Sequence, residues 1–265
     1  MLPKRVLSAI VLIPLVGVLM YLGGWYLAAG LAIVGGLAMV EYLGLVQQLG
    51  LRPCRFLALA VVPLGILDAT YPGAGLARLA VCLLVTVALS VEVFHGNRPG
   101  SLQSWGVAVA GSAYIGFGLA YFVSLRALDS GLAWVALVLL GTWISDTGAY
   151  ALGSRYGRRK LAPAISPSKS WEGAYGGLVS GVLAVWAIGV FGLGLAHWQA
   201  IVLGFVLVVA ATIGDLAESV IKRQAGAKDS GTLIPGHGGM LDRIDSLLFV
   251  APAVYYTATL LLGVA

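Results

Sequence analysis

Asp215, Glu218 and Lys222 stand at i, i+3 and i+7, a spacing that puts them on one face of a helix. Asp242 and Asp245 stand at i, i+3 and share a face in the same way. Asp146 lies within another apolar stretch, in Trp143-Ile-Ser-Asp-Thr-Gly-Ala-Tyr150. A carboxylate at membrane depth is costly, so it is usually paired or functional. Several carboxylates at one level repel unless a cation sits between them. Oxygen donors with no cysteine and few histidines suit a hard ion such as Mg²⁺, which takes one or two carboxylates plus phosphate oxygens. Lys169, Lys222, Arg223, Lys228 and Arg243 and the basic run Arg155, Arg158, Arg159 and Lys160 add positive charge. Carboxylates, a divalent ion and basic side chains together are equipment for phosphate transfer. Simpler readings stand beside this one. Asp242 and Asp245 open a helix, where negative charge caps the N-terminus. The basic clusters also fit a cytoplasmic charge bias or anionic lipid headgroups.

The segment 219–246 concentrates this chemistry. Pro235-Gly-His-Gly-Gly239 is incompatible with a helix, and its glycines allow positive φ and close backbone approach to a ligand. Consecutive N–H groups in such a loop form an anion-binding nest. His237 sits inside the loop as a phosphate ligand, a proton carrier or simply a satisfied loop histidine. Lys222, Arg223, Lys228 and Asp229 precede it, and Asp242, Arg243 and Asp245 follow at the next helix start.

This segment resembles the signature of the phosphatidate cytidylyltransferases, also called CDP-diacylglycerol synthases. The pattern Ser-x-hydrophobic-Lys-Arg, four residues, Lys-Asp-x-small, two residues, hydrophobic-Pro-x-His-Gly-Gly-hydrophobic-x-Asp-Arg-hydrophobic-Asp is matched throughout. A second block, Ser166-Pro-Ser-Lys-Ser-Trp-Glu-Gly173, is similar to the family's commoner Ser-Pro-Lys-Lys-Thr-Trp-Glu-Gly, from which Ser168 and Ser170 depart. The resemblance covers roughly 140–250; the first five spans resemble the family only in hydropathy.

The resemblance implies a Mg²⁺-dependent reaction of CTP with phosphatidate to give CDP-diacylglycerol and pyrophosphate, carried out by an integral membrane homodimer. On this reading Asp215 and Asp242 take Mg²⁺, and Asp146 or the same carboxylates take a second, monovalent cation such as K⁺. Lys169, Lys222, Arg223 and Lys228 meet phosphates of CTP or phosphatidate, and Asp245 orients His237 or a metal-bound water. Ser166, Asp229, Gly238, Gly239 and Arg243 join the substrate-binding set. No nucleic-acid partner is expected.

The elements that must position these residues are membrane helices. Of 265 residues, 60% are hydrophobic and only 10% charged, and mean hydropathy is +0.96. An average soluble domain is about a quarter charged, so an ordinary soluble enzyme and a disordered chain are both excluded. A bilayer core about 30 Å thick needs roughly 20 apolar residues per helix. Nine stretches qualify: about 6–22, 25–46, 56–71, 76–94, 105–125, 132–152, 173–194, 198–220 and 245–264. The third is short and holds Pro63 and Asp68, so eight spans remains the alternative. The first follows Lys4 and Arg5 without an A-x-A-like cleavage site and reads as a membrane helix rather than a signal peptide. Gly177-x-x-x-Gly181 is a GxxxG, but with 37 glycines it carries little weight alone. Cys54 and Cys82 form no metal or disulfide pattern and read as small hydrophobes.

The expected fold is thus an all-α integral membrane protein, a polytopic bundle of about nine transmembrane helices. Residues 1–130 form the N-terminal helices and 131–265 the helices carrying the motifs. Nine spans place 14 of the 16 Lys and Arg on one side, leaving only Arg78 and Arg126 on the other. The positive-inside rule makes the N-terminus and both long polar loops, 153–172 and 221–244, cytoplasmic, in a bacterial inner membrane. Two further classes stay open: an ion-coupled transporter, for which Asp68 is the best argument, and a related membrane nucleotidyltransferase or lipid kinase with another acceptor.

Overall fold

The computed structural model describes residues 2–94, 96, 98–234 and 238–263, with side chains from residue 10 onward except residue 11. Among them are nine helices: α1 (Leu2–Leu22), α2 (Gly24–Gln48), α3 (Arg55–Thr70), α4 (Leu76–Phe94), α5 (Ser101–Ala127), α6 (Gly131–Tyr156), α7 (Trp171–Leu193), α8 (His197–Gln224) and α9 (Leu241–Leu261). Each apolar stretch of the sequence lands on one of them. Seven are long and apolar enough to cross a membrane: α2 and α4 to α9. At 16 residues α3 is about 24 Å long, short of a bilayer core. Large apolar side chains lie open on the outside, Phe56 and Phe94 each 89% exposed. That pattern is expected where lipid rather than water is the neighbour, and the chain is an integral membrane protein.

The polar stretch between α6 and α7 is not all loop. It folds into a two-stranded antiparallel hairpin, β1 (Lys160–Ala162) and β2 (Ser166–Ser170), with Lys160 opposite Ser170 and Ala162 opposite Ser166. Ser170 then N-caps α7, its Oγ accepting from Gly173 N at 3.2 Å. The Glu172 carboxylate accepts from the amides of Arg158 and Arg159 at 3.1–3.2 Å and ties the start of the hairpin to α7.

The chain divides into two compact units, Met1–Ser124 with Ile221–Ile244, and Leu125–Val220 with Asp245–Ala265. In the first, α2, α3 and α5 bury Met39, Leu43, Val62, Ile66, Ile115 and Leu119. Gly116 lets α5 approach the backbone of Val62, to which an added Cβ would come within 3.2 Å. Tyr42 Oη donates to Val107 O at 3.0 Å across the α2–α5 contact. In the second unit, α6 and α7 pack backbone to backbone. A Cβ on Gly177 would lie 3.1 Å from Ser145 O, and one on Gly181 would lie 2.9 Å from Ser145 Cβ. The GxxxG therefore forms part of a real crossing. Ser145 Oγ donates to Gly177 O at 3.1 Å and Ser180 Oγ to Ile144 O at 3.2 Å, so the close approach also satisfies the buried Ser145 hydroxyl.

Candidate active site

The chemistry-bearing side chains fall into two groups, one in each unit. In Leu125–Val220, a cavity of about 450 Å³ opens between α6, the hairpin, α7 and α8. Asp146 of α6, Lys169 of β2 and Asp215 of α8 all line it. The short strand is what delivers Lys169: extended backbone from Ser166 to Ser170 carries its side chain to α8. There Lys169 Nζ sits 2.8 Å from Asp215 Oδ2, with the two side chains 23% and 37% exposed. Ser219 Oγ donates to the other oxygen, Oδ1, at 3.4 Å. Gly214 permits α8 to meet α9 just before this carboxylate, since a Cβ there would lie 2.9 Å from Asp245 O.

Within this unit the helical spacing resolves unequally. Asp215 opens to the cavity, while Glu218, one turn on, is wholly buried. Asp245 Oδ1 accepts from Ser246 N at 2.7 Å, a local cap inside α9. Ser166 is buried on β2, with its Oγ 3.5 Å from Ser168 Oγ.

The second group lies in the first unit, around Asp242 at the start of α9. Its Oδ1 pairs with Lys222 Nζ at 2.6 Å, with the side chains only 12% and 6% exposed in the order Lys222, Asp242. Its Oδ2 accepts from Ser230 N at 2.9 Å, Ser230 Oγ at 2.9 Å and Gly239 N at 2.8 Å. A buried carboxylate so fully engaged is held in one place, and the charge-assisted bonds offset its desolvation. Gly238 has φ of +86°, a conformation that favours glycine. Its backbone carbonyl accepts from Ile234 N at 2.9 Å and closes this part of the loop. Arg223, Lys228, Asp229 and Arg243 are exposed around it, and Arg223 Nη1 donates to Ala227 O at 3.2 Å. His237 lies outside the described residues.

Two participants escaped the sequence reading. Ser230 stood in the variable place of the Lys-Asp-x-small pattern, yet its backbone and hydroxyl both bind Asp242. The other is Glu41 of α2, which lies outside both sequence blocks. Its carboxylate accepts from Ser230 Oγ at 3.0 Å, Met240 N at 2.9 Å and Leu241 N at 2.9 Å. The available signal was a carboxylate in an apolar helix without a charged neighbour in sequence.

Magnesium fits the donors by their chemistry. Asp146 and Asp215 present hard oxygens to one cavity that no sulfur or imidazole of the described residues lines. Among the described residues no three His, Cys, Asp or Glu side chains converge as a ready metal cage. Magnesium does not need one, since it keeps waters and borrows phosphate oxygens.

A family model described as "Cytidylyltransferase family" matches residues 3–261. The phosphatidate cytidylyltransferase of Synechocystis sp. is 34% identical over 299 residues, covering 98% of both chains. That of Staphylococcus epidermidis is 40% identical over 167 residues, 63% of each chain. That of Mycobacterium bovis is 38% identical over 157 residues, 58% of this chain and 51% of the relative. The matched stretch therefore spans less than two thirds of the staphylococcal and mycobacterial proteins.

Proposed function

Because the chain belongs to the cytidylyltransferase family, we propose that it transfers the cytidylyl group of CTP to phosphatidate, giving CDP-diacylglycerol and pyrophosphate for phospholipid synthesis. The observation that carries the reading is the cavity in which Asp146, Lys169 and Asp215 meet.

A phosphatidate oxygen attacks the α-phosphorus of CTP, the bond from that phosphorus to the bridging oxygen breaks, and pyrophosphate leaves. The attacking phosphate is already ionised near neutral pH, so no strong base is required. The obstacle is repulsion between two anions. Lys169, freed from Asp215 or shared with it, places an ammonium beside the incoming phosphates. Arg223 at the end of α8, Lys228 in the loop after it and Arg243 in the first turn of α9 are the further cations of the proposal. Asp215 and Asp146 are the carboxylates that would hold Mg²⁺ in the cavity. Bound there, the ion supplies charge neutralisation at the phosphates. Asp242, the other carboxylate assigned to metal, takes that role only where Lys222 yields its oxygen. A second, monovalent cation such as K⁺ belongs to the same proposal.

The bias of basic residues supports a cytoplasmic N-terminus and a cytoplasmic site, where CTP is available. The bacterial relatives support a bacterial inner membrane. Phosphatidate then enters sideways from the inner leaflet with its tails still in lipid. A homodimer is part of the proposal.

The test uses purified protein in mixed micelles with phosphatidate and CTP labelled at the α-phosphate. Label in the lipid phase supports the reading. Label that stays in water with every acceptor lipid supplied contradicts it.

A further inference from the structure

Glu41 lies well inside α2, far from the signature segment in sequence, yet three of that segment's donors end on its carboxylate. We infer that Glu41 is a positioning residue, which caps α9 from another helix and fixes the place of the Asp242 carboxylate through their shared hydroxyl, Ser230 Oγ.

The first amides of a helix have no partner within it and need an outside acceptor. At the start of α9 Glu41 does this work: its Oε2 takes Leu241 N, the first helical amide, and its Oε1 takes Met240 N just before it, while Asp242 Oδ2 takes Gly239 N of the preceding loop. Capping normally comes from a residue adjacent to the helix. Here α2 supplies it, so the start of α9 is registered against a rigid membrane helix. The negative charge of Glu41 also faces the positive end of the α9 dipole, which lowers the cost of its burial.

Ser230 joins the two acids. Its Oγ lies 3.0 Å from Glu41 Oε2 and 2.9 Å from Asp242 Oδ2, and it accepts from Asp242 N at 3.3 Å. One hydroxyl proton serves one carboxylate at a time, so the position of each acid depends on the other. Glycines leave the space for this. A Cβ on Gly231 would press on the Glu41 side chain, and one on Gly239 would collide with Ser230 Oγ and Glu41 Oε2. The glycines of the signature thus serve a carboxylate from the N-terminal half as well as backbone freedom.

The inference rests on the proposed reaction only for Asp242's role, so the experiment has a readout that needs no turnover. The full chain, with Glu41→Gln and Ser230→Ala variants, is purified in detergent. Hydrogen–deuterium exchange is followed in peptides carrying Ser230 and Gly239–Asp242. Turnover gives kcat, KM for CTP and the Mg²⁺ concentration for half-maximal rate. Glutamine presents an N–H₂ where two amides need acceptors, so faster exchange is expected in those peptides and not in α6 or α7. The kcat should fall about tenfold to a hundredfold, the range typical of residues that orient a ligand-bearing group. The Mg²⁺ requirement should rise while KM for CTP changes less than about threefold. Ser230→Ala should move the same quantities in the same direction by less. Glu92→Gln, a buried acid paired with Arg98 elsewhere in the same unit, is the control and should leave kcat unchanged. Wild-type exchange and kcat in both test variants would overturn the inference. So would loss of protection throughout the chain in both, which marks a general structural role. If the wild type itself makes no CDP-diacylglycerol, the reaction is wrong, and the exchange result alone still decides whether Glu41 holds the loop.

Discussion

The Lys222 ammonium lies 2.6 Å from Asp242 Oδ1 with both side chains nearly closed to solvent. The Lys169–Asp215 pair, at 2.8 Å, is partly open to its cavity. The same pairing of lysine and aspartate therefore has different consequences in the two places. Breaking a buried pair leaves an uncompensated charge, at about 3–5 kcal/mol. An exposed pair contributes about 0–1 kcal/mol.

Asp215→Asn should therefore separate chemistry from stability. The thermal midpoint of the purified variant should stay close to wild type, while turnover falls on the order of 10²–10³-fold, the scale for losing one charge-stabilising contact. Activity assays and thermal unfolding on the same preparation check both halves. A variant with near-normal turnover would remove Asp215 from the metal assignment.

Lys222→Met should lower stability visibly, because Asp242 keeps its loop donors but loses the ammonium paired with it. Lys222→Met combined with Asp242→Asn should recover much of that loss, since no lone buried charge remains. Thermal midpoints of the two single variants and the double variant give the coupling directly. Additive losses would mean that the pair contributes little.

Gly239→Ala should behave quite differently from Gly36→Ala. A methyl at 239 meets Ser230 Oγ and Glu41 Oε2, whereas one at 36 meets nothing within 4 Å. The first should lose most of its turnover and the second none, as read by kcat at saturating CTP.

Gly148→Val tests the α6–α7 crossing. Even a Cβ at 148 would collide with Ser180 Oγ and lie 2.9 Å from Gly176 O. The backbone partner cannot move aside, so this variant should unfold at lower temperature or fail to accumulate in membranes. Ser180→Ala, which only removes a hydroxyl, should stay within about 1 kcal/mol of wild type.

The membrane helices were legible because hydropathy at this level leaves few alternatives, and each apolar stretch became one helix. The shortness of α3 was visible too, in Pro63, Asp68 and the small number of apolar residues. The hairpin was not legible. Its strands are only three and five residues long, and the longer is polar and includes Pro167, so neither alternation nor β-propensity marks them. Lys169 and Asp215 were both candidates, but the strand that brings them together had no signal. Gly177 and Gly181 had one, weakened by the abundance of glycine. Glu41 was the hardest case. Its partners at 230, 240 and 241 come from tertiary folding, and no local spacing encodes a contact across some two hundred residues.

The most direct measurement is the ratio of pyrophosphate released to lipid-linked CMP formed by the purified protein, with phosphatidate and Mg²⁺ each present or withheld. The account predicts a ratio of about one, no product without phosphatidate, and activity that chelation abolishes and added Mg²⁺ restores. Sustained absence of pyrophosphate with both substrates and Mg²⁺ present, or its release without any lipid product, would contradict it.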